Sequence, residues 1–150
     1  MQILADSGIL QRLFELTDSR HAAAQQTVRA LLAQGHELVT ASQNVAEFWN
    51  VCTRPATARG GFGLSLVETE LRLQRLEREF AILPDVSSTY ATWRGLVVAH
   101  AVLGKQVHDA RLAALMLSHG VTQIVTLNGR DFARYPALTV IDPLSFAATP

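Results

Sequence analysis

One cysteine and one lysine are all that 150 residues contain of either kind. The lone Cys52 excludes an internal disulfide and any cysteine-built zinc cluster. It sits in an apolar helical stretch, which makes it buried filler rather than a nucleophile. Net charge is missing too, because thirteen basic residues face thirteen acidic ones. That balance argues against a protein that coats nucleic acid through bulk charge, but says nothing of local patches. No run of about 18 uninterrupted apolar residues occurs, so no membrane span is expected. The opening Met1-Gln2-Ile3-Leu4-Ala5-Asp6 lacks the basic and apolar regions of a secretory leader. A cytoplasmic protein is the expectation. Repeats, low-complexity tracts and linkers rich in Pro, Gly or Ser are absent as well, so residues 1–150 are expected to form a single domain.

What is present is a 49% hydrophobic composition, which excludes a disordered chain. The basic residues are twelve arginines and Lys105. Arginine's planar fork suits bidentate phosphate contacts that lysine cannot copy, although codon bias in a GC-rich genome yields the same imbalance. Short apolar runs predict strands at Ile3-Leu4-Ala5, Leu38-Val39-Thr40, Ala81-Ile82-Leu83, Gln123-Ile124-Val125-Thr126 and Thr139-Val140-Ile141. Helical patterns fill the gaps, from Ser7 to Leu16, Arg20 to Gln34, Asn44 to Thr53, Ser65 to Phe80, Ser87 to Leu103 and Ala110 to His119. Gly35 and Gly120 are helix stops, and Pro55 closes the third helix. Alternating strands and helices predict an α/β fold in which helices cover both faces of a mostly parallel sheet. Ligands in such sheets bind beyond the carboxyl ends of the strands.

Acids stand at those ends. Asp6 follows the first strand, Asp109 opens a late helix, and Asn128 and Asp131 follow the fourth strand. Each has an ordinary structural role available, as a helix cap or in a turn. Glu47 is harder to explain that way. It lies opposite an apolar stripe of Val45, Phe48, Trp49 and Cys52, so it faces either solvent or a cleft. If the four acids converge, carboxylates about 4 Å apart repel by about 4 kcal/mol per pair at an effective dielectric of 20. Protons or a cation must then relieve them. Oxygen ligands of this kind suit Mg²⁺ or Mn²⁺, and an acid cluster with such an ion is in outline a phosphodiester-cleaving apparatus.

The sequence resembles the PIN-domain family, and within it the VapC-type toxins of toxin–antitoxin pairs. The resemblance runs along essentially the whole chain. It rests on Ile3-Leu4-Ala5-Asp6-Ser7, on Ser42-Gln43-Asn44-Val45-Ala46-Glu47-Phe48-Trp49-Asn50 and on Thr53-Arg54-Pro55. Val107-His108-Asp109-Ala110-Arg111-Leu112-Ala113-Ala114 and Thr126-Leu127-Asn128-Gly129-Arg130-Asp131-Phe132 complete it. It implies a three-layer α/β/α fold around four or five strands, and a ribonuclease that uses Mg²⁺ or Mn²⁺. Asp6, Glu47, Asp109 and Asp131 would be its catalytic acids. Asp6 and Asp109 would ligate the metal, and Glu47 would hold a water or a second ion. Asp131 takes the fourth acidic position, with Ser7 and Asn128 in support. The resemblance also implies a homodimer, a cognate antitoxin that inserts a peptide near the cleft, and RNA as substrate.

Direct hydrolysis would leave 5′-phosphate and 3′-hydroxyl ends. Attack by the substrate's own 2′-hydroxyl would leave a cyclic phosphate and would need a base such as His108, which is left out of the chemistry. Arg54, Arg111 and Arg130 are candidate holders of the RNA backbone. Trp49 and Trp93 are candidate base-stacking residues, Trp49 being better placed for core or dimer packing. The glycine loop Arg59-Gly60-Gly61-Phe62-Gly63 lacks the Gly-Lys-Ser/Thr ending of a phosphate cradle and reads as a mobile segment or one ordered by a partner. Two enzyme rivals fail on residues. A haloacid-dehalogenase-like phosphatase needs an acid where Gly8 stands, and a receiver domain needs a lysine after a late strand. The remaining alternative is a PIN-like binding module with little or no nuclease activity.

Overall fold

The computed structural model of the chain describes residues 1–146, so 147–150 of the expected domain lie outside the described residues. The five apolar runs become β1 (Gln2–Ala5), β2 (Glu37–Ala41), β3 (Ala81–Leu83), β4 (Gln123–Val125) and β5 (Thr139–Ile141). They pair in the order β3-β2-β1-β4-β5, every pair parallel. The chain builds outward from β1 through β2 and β3, then returns to lay β4 and β5 on the other side. The order therefore reverses between β1 and β4, where a crevice opens beyond the strands' carboxyl ends.

Parallel neighbours need crossovers, and helices supply them. Between β1 and β2 run α1 (Ser7–Phe14) and α2 (His21–Ala33); between β2 and β3 run α3 (Ser42–Thr53) and α4 (Leu66–Glu79). The next crossover is α5 (Thr89–Ala99) and α6 (Val107–Ser118), followed by the short α7 (Gly129–Phe132) and α8 (Pro143–Phe146). Because successive strand residues point to opposite faces, β1 feeds two cores. Ile3 and Ala5 pack with Ile9, Leu31, Phe48, Cys52 and Leu76 from α1 to α4. Leu4 packs on the other face with Leu112, Met116 and Phe132, against which Trp93 of α5 also lies. Three layers result: helices, sheet, helices. Among the described residues no helix is long and apolar enough to cross a membrane.

Some boundaries differ from the expectation for physical reasons. α5 stops at Ala99 rather than Leu103, because Ala101 takes a positive φ of 47° that no residue type announces. α6 starts three residues early, at Val107, on a 3₁₀ turn formed by Gly104–Gln106. α8 was not expected. Its signal is Asp142-Pro143: Pro143 opens the helix, and the Asp142 carboxylate accepts the Leu144 N–H at 3.0 Å. The glycine loop is fixed within the chain itself. Phe62 N–H donates to Val51 O at 3.0 Å, Gly63 N–H to Arg54 O at 2.8 Å and Leu64 N–H to Cys52 O at 2.8 Å. The mobility expected of it is replaced by a turn stitched to the end of α3.

Candidate active site

A crossover helix runs back against the strands, so its N-terminus lies at their carboxyl ends. This rule brings α6 and its Asp109 to the same edge as Asp6, which follows β1 directly. β4 is followed at once by Thr126 and leads to Asn128 and Asp131, while β2 passes without a loop into α3, whose second turn carries Glu47. The crossovers thus bring all four sequence-derived acids to this edge of the sheet. Their charges are felt mutually: Asp109 is influenced by Asp131, Asp6 and Glu47, and Asp6 by Glu47.

Asp6 performs the ordinary role as well as the special one. Its Oδ1 caps α1 by accepting the Ser7 N–H at 2.7 Å. Its Oδ2 accepts the Thr126 hydroxyl at 2.8 Å. The residue is 8% exposed, and burial raises its pKa, partly opposed by the Thr126 and Ser7 hydrogen bonds. Ser7 links two acids: its hydroxyl donates to Glu47 Oε2 at 2.6 Å and lies 3.5 Å from Asp6 Oδ1. Glu47 is exposed on the cleft side of α3.

Asp109 is no cap. It occupies the third position of α6, and its carboxylate takes no hydrogen bond among the described residues. Burial first, then the Asp131, Asp6 and Glu47 charges, push its pKa up to about 6. Asp131 likewise sits inside α7 rather than at its start, and Asn128, at the cap position, makes no capping bond with its side chain. None of the four acids has a basic partner within ion-pair distance among the described residues. Nor do any three His, Cys, Asp or Glu side chains there group closely enough to enclose a metal ion by themselves.

The PIN domain family model matches residues 3–138. The chain belongs to the PIN-domain family. Solved structures that share the fold of this PIN domain include toxin–antitoxin proteins. One is a toxin–antitoxin complex from Klebsiella pneumoniae (22% identity, 94% of this chain and 97% of that chain covered, TM-score 0.64). Another is VapBC-1 from nontypeable Haemophilus influenzae (17%, 96% and 99%, TM-score 0.69). A third, VapC20 from Mycobacterium tuberculosis, is described as a sarcin–ricin loop cleaving toxin (18%, 81% and 86%, TM-score 0.58). At these identities the likeness is one of fold. No curated protein matches the chain in sequence.

Two residues of this PIN domain escaped the sequence reading. Thr126, which the sequence marks as a strand end and as part of the Thr126–Phe132 segment but gives no role at the site, holds Asp6 and accepts the Asn128 N–H at 3.0 Å. Its signal was the one that exposed Asp6, a polar residue closing an apolar strand. Asn44 is fully buried on α3, where its Nδ2 donates to Ala5 O at 3.2 Å and to Thr40 Oγ1 at 3.3 Å. The buried edge of α3 therefore runs Asn44–Phe48–Cys52, with Val45 and Trp49 only half-buried. Its neighbours in sequence do not mark Asn44 for this role, because its partners are the Ala5 carbonyl on β1 and the Thr40 hydroxyl on β2.

Other candidates are already engaged. Arg111 donates to Asp85 at 2.8 Å and to Gln43 at 3.0 Å, while Gln43 donates to His108 O at 3.0 Å. This network ties the start of α3 to the start of α6 and forms one wall of the cleft. Trp93 is anchored by its Nε1–H on Val107 O at 3.0 Å, which holds the beginning of α6.

Proposed function

We propose that this chain is a VapC-type toxin, the ribonuclease half of a toxin–antitoxin pair, that hydrolyses RNA phosphodiester bonds with a divalent cation, Mg²⁺ or Mn²⁺. The reading is carried by Asp109, on which burial and the like charges of Asp131, Asp6 and Glu47 all act, and by the lack of any ion pair to these four acids among the described residues. The donor set fits a hard ion: carboxylate and hydroxyl oxygens only, with Cys52 buried in the core. Asp6 and Asp109 would hold the ion, since Mg²⁺ uses one or two carboxylates and keeps its remaining positions for waters. A bound ion would supply Lewis-acid stabilisation of charge on the phosphate and a more acidic water.

The chain's own residues do the positioning. Thr126 and the Ser7 N–H fix both oxygens of Asp6. Ser7 fixes one oxygen of Glu47 at 2.6 Å, leaving the other free to accept a proton from the attacking water. Asp109 and Asp131, without hydrogen-bond partners among the described residues, would supply further oxygen donors. Hydrolysis by this route leaves 5′-phosphate and 3′-hydroxyl ends. A cognate antitoxin that covers the cleft, a homodimeric toxin and a cytoplasmic setting belong to the same reading.

The test is incubation of purified, antitoxin-free protein with total RNA in Mg²⁺, Mn²⁺ or excess EDTA. Discrete cleavage should appear with either ion and vanish in EDTA. Asp6→Ala and Asp109→Ala should each lower it by more than the about 100-fold that loss of an outer-shell partner costs. Cleavage undiminished by EDTA would remove the metal chemistry, and cyclic-phosphate ends would remove water attack. A second reading, a binding module with little or no nuclease activity, draws on the spacing of the acids, of which no three enclose an ion. RNA or antitoxin binding with no cleavage in any ion would favour it.

A further inference from the structure

Two adjoining grooves leave the acid site along α1. The first, of ≈ 250 Å³, begins at Ser7 and Asn128 and takes in Gln11, Arg12 and Arg20. The second, of ≈ 490 Å³, shares Gln11 and Arg12 and continues to Arg54, Arg59 and Phe62. Among the described residues, four guanidinium groups line these adjoining grooves, against the acids Glu15 and Asp18. Asp18 is already an engaged anion. Arg20 grips both its oxygens at 3.0 Å, Arg12 Nε lies 3.2 Å away, and the Arg20 guanidinium holds its carboxyl down to about 2. The path thus carries two positive charges in excess on a chain whose net charge is zero.

The far end of the path is built with rigid parts. Arg54 Nη1 donates to Arg59 O at 3.0 Å, and Gly63 N–H donates to Arg54 O at 2.8 Å. A Cβ on Gly61 would lie 2.3 Å from Pro55 O and 2.7 Å from Arg54 O, so only glycine lets this turn close against α3. The glycine loop is therefore what sets Arg54 and Arg59 beside α1. The Arg59 guanidinium has no partner among the described residues, and Arg54 uses one donor of five. The opposite wall of the cleft differs. Arg111 there is committed to Asp85 and Gln43, and Glu47 faces the same hollow.

We propose that the RNA strand flanking the scissile phosphate leaves the acid site on this side only, along α1, with its phosphates held by Arg12, Arg54 and Arg59. Preset guanidinium forks suit successive phosphates of a single strand, and repulsion from the acids keeps the backbone out of the site except where an ion bridges it. This inference rests on the ribonuclease reading of the acid site.

A fluorescein-labelled oligouridylate titrated in EDTA measures binding with no metal-dependent cleavage. The double variant R54A/R59A should bind about tenfold more weakly or worse. The slope of log affinity against log salt should fall by about 1.4, since each lost phosphate contact to a single strand removes about 0.7. Arg59→Glu alone, at a side chain with no hydrogen-bond or ionic partner among the described residues, should weaken binding too, whereas Arg78→Ala on α4 should match the wild type. Unchanged affinity and slope in both groove variants would overturn the proposal. Retained RNA binding with lost binding of polyglutamate would overturn it in favour of an acidic protein segment. A wild type that binds RNA through these arginines but cuts none removes the ribonuclease reading and leaves the path standing. A wild type that cuts RNA while both variants bind unchanged does the reverse.

Discussion

Asp109 is where burial and like charge act together on one carboxyl. Its folded pKa, about 6, lies above the ordinary 3.8, so folding favours the neutral form. The associated stability is whole below about pH 4 and is lost as the pH rises through about 6. Asp109→Asn removes that loss. In EDTA at pH 8 the variant should be more stable than the wild type by roughly 1–2 kcal/mol, after discounting for solvent screening, and the two should be nearly equal at about pH 3, below the unfolded-state value. Urea denaturation at the two pH values measures the gap; the same gap at both would refute the origin of the shift. The residue types at Asp6, Glu47, Asp109 and Asp131 were legible in the sequence because acids at strand ends stand out against apolar runs. Thr126 and Asn44 were not, since a hydroxyl or amide becomes meaningful only beside the atom it bonds.

Among the elements, the strands were read almost to the residue, because a parallel strand buried on both faces is a short apolar run bounded by polar residues. Helix ends were read where chemistry marks them. Gly35 and Gly120 take φ of 81° and 70° and stop α2 and α6, and Ser65 with Glu68 forms the capping box that opens α4. They were missed where a residue adopts a conformation its type does not favour, as Ala101 does. The turn after α3 shows the limit most clearly. Its glycines read as freedom, but Gly61 is there for closeness, because a side chain would strike the Pro55 and Arg54 carbonyls. Gly61→Ala should therefore cost about 1–3 kcal/mol of overpacking strain, seen as a lower urea midpoint at unchanged m. A midpoint equal to the wild type would mean that the turn is looser than its hydrogen bonds imply.

Across the whole molecule, zero net charge divides into unlike regions. Four of the thirteen acids lie at one edge of the sheet, while four arginines line the path beside them. An ion that binds the folded site alone must stabilise the entire domain. Mn²⁺ at a hundredfold excess over its Kd adds about 2.7 kcal/mol, a rise in melting temperature of about 5–11 °C for a chain of this size. Asp6→Ala and Asp109→Ala should each lose that rise, and a wild-type melting curve indifferent to Mn²⁺ and EDTA would refute the ion site. The sequence by itself determined the layer order and the residue types at the strand ends, because side-chain periodicity and helix-capping chemistry are local and survive in one dimension. Only the tertiary structure decided which of those residues share a site. The reversal of strand order between β1 and β4 sets Thr126 on Asp6 across 120 positions of chain, and the turn after α3 lays Arg54 and Arg59 along α1. Such pairings depend on how the crossovers fold back over the sheet, which no local pattern records.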